Sequence, residues 1–131
     1  MTTMETTKRL GIWMDHSVAH LMDVTTDAMV TSLIESESTH RDREHSLNKS
    51  ENLMHNKEQR QLSGYYKKLG DAITHYQEVL LFGPTSAKSE LLNVLRADHR
   101  FAAIKIEVED ADKMTTNQLH AFVTRHFNPA H

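Results

Sequence analysis

A chain of 131 residues can bury one hydrophobic core, and 38% hydrophobic with 25% charged residues is ordinary for a folded domain. No apolar run approaches the roughly 20 residues that cross a bilayer, and the absence of cysteine excludes disulfides, thiolate metal sites and cysteine nucleophiles. A formal net charge of −3 argues against a dedicated nucleic-acid module, which usually carries a basic excess. We therefore expect one cytoplasmic domain over 1–131, with no membrane segment and with a disordered tail at 1–8 that lacks the apolar stretch of a secretory signal.

The first part of the chain predicts three strands in succession. Over 9–15 the most apolar side chains fall at every second position from Leu10 to Met14, which is the period of a strand. Two further strands are predicted over 18–24 and 28–35, each preceded by a short polar turn. Connections this short favour an antiparallel meander.

Residues 36–56 form a long polar stretch after the third strand. Only Leu47, Leu53 and Met54 are apolar there. So little apolar surface cannot order a segment firmly by burial. We therefore expect a long exposed loop.

From about Lys57 the spacing of apolar residues changes to three and four, which predicts an amphipathic helix. Asn56 and Gln59 are spaced as in a capping box at its start. The predicted apolar stripe comprises Leu62, Tyr65, Tyr66, Leu69, Ile73 and Tyr76.

The short apolar run 79–82 is typical of a strand buried on both faces. It is closed by Gly83, Pro84 and Thr85, which we interpret as a structural turn. Backbone N–H groups before a helix generally favour anions, and Lys88 could assist. The turn nevertheless lacks the glycines and the spaced lysine of a phosphate loop, and Pro84 removes one donor.

The rest of the chain predicts a helix, a strand and a last helix. The first of these helices begins after a cap at Thr85 or Ser86, and the strand alternates over 104–108. Thr115 and Gln118 form a predicted capping box for the last helix. The predicted apolar face of the first helix comprises Ala87, Leu91, Val94 and Leu95.

The predicted order is β-β-β-α-β-α-β-α. Strands that alternate with helices pair in parallel through right-handed crossovers, whereas the meander adds antiparallel strands. A single α/β domain with a mixed five-stranded sheet flanked by helices satisfies both patterns. This is the ribonuclease-H-like arrangement.

A nuclease built on this arrangement would hold divalent ions with several carboxylates at the strand ends. Asp15 ends the first strand, but the central strand ends in Gly83 and offers no second ligand. Asp110 and Asp112 follow a different strand. We therefore predict no catalytic residue, no cofactor and no small-molecule substrate, and hydrolytic or metal-dependent activity is the weakest of three functional hypotheses.

Ten histidines raise the question of a transition-metal site. His16 and His20 straddle a turn, and His40, His45 and His55 fall in the predicted loop without a fixed geometry. The His-Glu-x-x-His pattern of zinc-binding helices is absent. The prediction is ordinary surface or packed histidines and no bound metal.

Two stretches carry a resemblance to a known family. They are the meander from Leu10 to Glu35 and the segment LLFGPTSAKSEL at 80–91. Together with the polar insertion and the helix after it, they resemble the central domain of the eukaryotic and archaeal class-1 peptide release factor and of Pelota. The chain resembles even more the stand-alone bacterial relatives of that domain, including those called host-attachment proteins, and the resemblance covers about 9–127.

The resemblance implies a role in translation. In the release factors, the loop between the third strand and the first helix carries Gly-Gly-Gln, which helps water to attack the peptidyl ester. The matching loop here, 36–56, contains no glycine, so peptide release is not expected. Pelota-like proteins also lack this tripeptide and still bind ribosomes, so a ribosomal partner remains implied.

The leading hypothesis is therefore a non-enzymatic, translation-related factor that contacts the ribosome or RNA through the polar loop. Residues 36–68 contain seven Lys or Arg and five Asp or Glu, a local charge of +2. Basic side chains bind nucleic acid chiefly through its phosphates. The predicted RNA-binding residues are Arg41, Arg43, Lys49, Lys57 and Arg60.

The alternative hypothesis is a protein-interaction or homo-oligomerisation domain, for example in a stress response. Aromatic side chains are enriched in the centres of such interfaces. Trp13, Tyr65 and Tyr66 are the predicted interface residues.

Overall fold

The computed structural model describes residues 7–25, 29–36 and 51–127, with 51–59 described for their backbone only. Five strands and three α-helices lie in these ranges. The strands are β1 (Arg9–Met14), β2 (Val18–Asp23), β3 (Val30–Glu35), β4 (Glu78–Gly83) and β5 (Lys105–Asp110). The helices are α1 (Glu51–Ile73), α2 (Ala87–Arg96) and α3 (Thr116–Phe127), and a short 3₁₀ turn (His99–Phe101) follows α2.

The strands form one mixed sheet in the order β3-β2-β1-β4-β5. β1, β2 and β3 pair antiparallel, as short connections require. β4 pairs parallel with both β1 and β5 through helical crossovers. The predicted α/β fold, a mixed five-stranded sheet flanked by helices, is confirmed.

The core lies in two layers on opposite faces of the sheet. On one face, Leu69 of α1 and Leu91 of α2 pack against alternate side chains of β1 and β4. On the other face, α3 covers β1 and β4, with Val123 beside Phe82 in one cluster. Gly11 allows this close approach, because a Cβ atom at that position would lie 2.5 Å from Val123 Cγ2.

Helix α1 begins earlier than predicted. Its first residue is Glu51, so the predicted loop over 36–56 is too long by its last residues, and Asn56 lies inside the helix instead of capping it. The stretch 51–60 contains no Gly or Pro and is rich in strong helix formers. The polar residues from Glu51 onward therefore belong to a solvated helix and not to the predicted loop.

Two residues of the predicted apolar faces were misplaced. Helix α1 ends at Ile73, so Tyr76 lies beyond it, where its hydroxyl donates a hydrogen bond of 2.8 Å to Asp23 Oδ2. Val94 is 50% exposed, because α2 turns Leu91 and Leu95 toward the sheet and Val94 away from it.

The predicted capping box of the last helix is confirmed. Thr115 N–H donates to Gln118 Oε1 at 3.0 Å, and Gln118 N–H donates to Thr115 Oγ1 at 3.2 Å. Before α2, the N-cap position is Ser86, whose side chain makes no capping hydrogen bond; instead, Oγ1 of the preceding Thr85 accepts the N–H of Ala87 at 3.2 Å.

The ends of the predicted tail and loop are held by the sheet. Lys8 N–H donates to Gln77 Oε1 at 2.9 Å, and Gln77 N–H donates to the Lys8 carbonyl at 2.9 Å. Ser36 is buried, and its N–H donates to the Ser17 carbonyl at 2.8 Å. The rest of the predicted tail, 1–6, and loop residues 37–50 lie outside the described residues. No helix in the described ranges is both long and apolar enough to span a membrane.

Candidate functional site

The structure places two of the five predicted RNA-binding residues. Arg41, Arg43 and Lys49 lie outside the described residues. Lys57 belongs to α1, three residues before Arg60, whose side chain is exposed on the same helix. The described part of the candidate site is therefore the outer face of α1.

This outer face is open and basic from 60 to 67. Positions 60, 64 and 67 follow the spacing of one helix face, and Arg60 and Lys67 are exposed there. Within the described residues, neither Arg60 nor Lys67 forms an ion pair. Gly64 lies between them, and no described atom beyond its chain neighbours and the nearby backbone of its own helix lies within 4 Å of a Cβ at its position. Lys67 was not among the predicted residues, although its spacing from Arg60 in the helix pattern could have indicated it.

The inner face of α1 is anchored by two adjacent tyrosines. Tyr65 and Tyr66 are 1% and 5% exposed, and their ring centroids lie 5.6 Å apart. The Tyr65 hydroxyl donates to the Asp15 carbonyl at 2.9 Å, and the Tyr66 hydroxyl donates to Glu90 Oε1 at 2.7 Å. These bonds tie α1 to the end of β1 and to α2, so the basic face has a fixed position on the domain.

Glu90 is the centre of a small polar network at this end of the sheet. Besides Tyr66, it accepts a 2.9 Å hydrogen bond from Ser86 Oγ, and both carboxylate oxygens lie 3.2 Å from His16 Nε2. Burial by itself raises the pKa of the Glu90 carboxyl, but the hydrogen bonds from Tyr66, His16 and Ser86 together outweigh it and hold the pKa below its usual value. Sequence reasoning missed this network because no spacing pattern relates His16 and Tyr66 to Glu90, which lies 74 and 24 residues away from them.

The turn after β4 is shaped by Gly83. Its φ of +151° is rarely adopted by other residues, and a Cβ there would lie 2.1 Å from the Met14 carbonyl oxygen. Lys88 is buried, and its ammonium donates to the Thr85 carbonyl at 2.6 Å and pairs with Asp110 at 2.9 Å. Because the Lys88 ammonium is already bound to these two oxygens, it is not available to an anion at this turn.

Two of the carboxylates considered for a metal site, Asp15 and Asp110, have separate partners. Asp15 Oδ1 accepts the N–H groups of Ser17 at 2.7 Å and Val18 at 2.9 Å. Asp110 pairs with Lys88. Across 7–25, 29–36 and 51–127, no three His, Asp or Glu side chains are grouped so that they could hold a metal ion.

No protein-family model matches this chain, and no curated protein matches its sequence. Solved structures do match. Pelota from Thermoplasma acidophilum superposes with a TM-score of 0.59 at 13% identity, over 91% of this chain. Pelota from Archaeoglobus fulgidus, described for its inter-domain structural plasticity, gives a TM-score of 0.59 at 9% identity, over 93% of this chain.

This chain has the fold of a Pelota domain. The match spans 32% of each Pelota chain, about a third of their length. The resemblance to Pelota inferred from the meander and from 80–91 is therefore confirmed for the fold. At identities of 13% and 9%, the likeness concerns architecture and carries no residue roles by itself.

The three aromatic residues of the alternative hypothesis lie in the core of the domain. Trp13 is 4% exposed and packs on the α3 face of the sheet, where its Nε1 donates to the Asp112 carbonyl at 3.3 Å. Tyr65 and Tyr66 are buried on the inner face of α1. The prediction that these three side chains build an interface is wrong, because the domain itself already buries them.

Proposed function

We propose that this protein is a non-enzymatic, cytoplasmic, translation-related factor that associates with the ribosome or its RNA. The fold shared with Pelota carries the proposal, since the resemblance of the chain to that family implies a ribosomal partner. The segment that matches the Gly-Gly-Gln loop of the release factors has no glycine, so the proposal includes no peptide-release activity.

The proposed contact surface combines the segment before α1 with the outer face of that helix. Arg41, Arg43, Lys49, Lys57 and Arg60 are proposed to contact phosphates. Salt-dependent neutralisation of phosphates by Lys and Arg supplies most of the affinity of proteins that bind nucleic acid without reading sequence. Arg60 and the neighbouring Lys67 support this assignment, because their charges are exposed and not already paired within the described residues.

The anchoring of α1 also supports the proposal. A helix held by the Tyr65–Asp15 and Tyr66–Glu90 hydrogen bonds does not have to be ordered when it meets a partner. Binding through a preorganised surface avoids part of the entropy that association otherwise loses.

Co-sedimentation with purified ribosomes in low salt tests the proposal. The test variant replaces Arg41, Arg43, Lys49, Lys57 and Arg60 by alanine. The matched control replaces five exposed basic residues elsewhere on the domain and so removes the same charge: Lys8, Arg96, Lys105, Lys113 and Arg125. We expect wild type and control to pellet with ribosomes and the test variant to remain in the supernatant.

Two results would overturn the proposal. One is wild-type protein that stays entirely in the supernatant. The other is equal pelleting of the test variant and the matched control, which would mean that the five proposed residues contribute no more to binding than basic residues elsewhere on the domain. Circular dichroism of each variant ensures that a loss of binding is not a loss of folding.

A further inference from the structure

The edge strand β3 is unusually unprotected. Among the described residues it lies at one end of the sheet and pairs with β2 alone. Two of its apolar side chains are exposed, Val30 at 64% and Leu33 at 51%. Exposed edges normally carry Lys, Pro or inward-pointing charges that prevent pairing with another chain. β5, at the opposite edge, follows that rule with the charged residues Lys105, Glu107, Glu109 and Asp110.

β3 has only one charged residue, Glu35, in the sequence VTSLIE, and it has neither Lys nor Pro. Strands of this composition, rich in β-branched residues and low in charge, are good templates for a further strand. Of the two sheet edges that the described residues form, β3 is therefore the one whose composition favours pairing with a further strand.

The hydrogen-bond pattern identifies the backbone groups of β3 that do not bond to β2. Ser36 N–H donates to the Ser17 carbonyl, in the same register that pairs Ile34 with Ala19 and Ser32 with Leu21. Because hydrogen-bonded pairs alternate along antiparallel strands, the inward bonds belong to Val30, Ser32 and Ile34. The N–H and C=O groups of Thr31, Leu33 and Glu35 consequently point outward along the edge.

We propose that this edge binds a second copy of the same chain, with the two β3 strands antiparallel about a two-fold axis through Leu33. In this register Leu33 faces Leu33 of the second copy, and Glu35 faces Thr31. The only charge on the strand therefore meets a hydroxyl, whereas a register centred on Glu35 would set two carboxylates opposite each other, which is destabilising.

This pairing makes one continuous sheet across both copies and buries Leu33. Each outward N–H and C=O group of Thr31, Leu33 and Glu35 finds a partner, so the edge has no unpaired backbone groups left between these residues. Isologous pairing of this kind closes after two copies and does not extend into fibres. The inference does not depend on the proposed ribosomal function.

Light scattering coupled to size-exclusion chromatography tests the proposal. At micromolar concentration we expect wild-type protein at roughly twice the chain mass of 15.1 kDa. Leu33→Lys should give a monomer, because the lysine would face the same lysine of the second copy. Thr31→Pro should also give a monomer, because it removes an outward N–H without breaking the pairing with β2. Val94→Lys is the matched control, because Val94 is equally exposed at 50% but lies on α2.

Cross-linking gives a second readout that depends on the register. The chain contains no cysteine, so Leu33→Cys introduces a single thiol. Hydrogen-bonded partners in antiparallel strands have Cα atoms about 5.5 Å apart, within the range of a disulfide. We expect Leu33→Cys to form a covalent dimer under mild oxidation and Val94→Cys to remain monomeric. A monomeric wild type, a dimer unaffected by Leu33→Lys, or equal cross-linking at positions 33 and 94 would each overturn the proposal.

Discussion

Two glycines of this domain, Gly83 and Gly64, have opposite effects on its stability. Gly83 adopts a φ of +151° with the Met14 carbonyl oxygen in the space that a Cβ would occupy, whereas Gly64 is exposed on α1 with open space around it. The first is required by the backbone, and the second only weakens a helix.

Gly83→Ala and Gly64→Ala should therefore change stability in opposite directions. We expect Gly83→Ala to destabilise the fold by more than about 2 kcal/mol, since both strain and a backbone clash result. Gly64→Ala should stabilise it by about 0.5–1 kcal/mol through helix propensity. Urea unfolding of the two variants measures both changes, and a neutral Gly83→Ala would contradict the account of the turn.

The three tyrosines should resist ionisation until the protein unfolds. The pKa of Tyr76 is raised to about 12, chiefly by burial and further by the hydrogen bond to Asp23. Burial, followed by nearby carboxylates, also raises the pKa of Tyr65 and Tyr66 well above the usual value. Because the folded pKa values exceed the unfolded value of about 10, their stabilising contribution is complete below pH ~10 and is lost as pH rises through the folded values.

An alkaline titration followed by phenolate absorbance checks this expectation. Little phenolate should form near pH ~10, and ionisation should coincide with the loss of circular dichroism at higher pH. Tyrosines that ionise at pH ~10 in a protein that is still folded would show that the phenols are not buried as described.

At the scale of elements, the attachment of α1 depends on the Tyr66–Glu90 hydrogen bond. We expect Tyr66→Phe to destabilise the domain at neutral pH by about 1 kcal/mol, a modest value because the Glu90 side chain is 43% exposed. The pKa of Glu90 is lowered in the fold. Its contribution is therefore present above the unfolded pKa of about 4.3 and is lost as pH falls through the folded value.

The stability difference between wild type and Tyr66→Phe should accordingly shrink below pH ~4. A double-mutant cycle with Glu90→Gln measures the coupling directly. Coupling that is zero at neutral pH, or a difference that does not depend on pH, would contradict the assigned role of this pair.

Hydrophobic periodicity predicted most of these elements because the spacing of apolar residues within a segment reflects which of its faces is buried. The alternation of β1 and the capping box of Thr115 and Gln118 are local patterns, and both are present in the fold. The start of α1 was missed because its first turns are polar, so a solvated helix and a loop have the same hydrophobic pattern. Val94 was misplaced because helical spacing alone does not say which edge of an apolar stripe faces the sheet.

The candidate site was less predictable than the fold. The Glu90 network joins the turn after β1, α1 and the start of α2, and contacts between distant segments depend on how the elements pack. Arg60 was predicted from charge, and helical structure then added Lys67 to the same face. The outward backbone groups of β3 could not be identified before the strand order and register were known.

At the scale of the whole molecule, fold and function rest on different evidence. A two-sided α/β sandwich matches Pelota over 91% and 93% of this chain, although identity is only 13% and 9%. Such an architecture is compatible with many activities. The proposed ribosomal role therefore depends on whether the basic surface of this particular chain contacts RNA phosphates.

The salt dependence of equilibrium binding to purified ribosomes tests that claim most directly. Phosphate contacts release counterions, so the logarithm of the affinity should fall linearly with the logarithm of the salt concentration, by about 0.9 per contact for a duplex. We predict a steep slope for wild type and for the control lacking Lys8, Arg96, Lys105, Lys113 and Arg125. The variant lacking Arg41, Arg43, Lys49, Lys57 and Arg60 should have a clearly shallower slope. Equal slopes for the two variants, or wild-type binding that is insensitive to salt, would contradict the account.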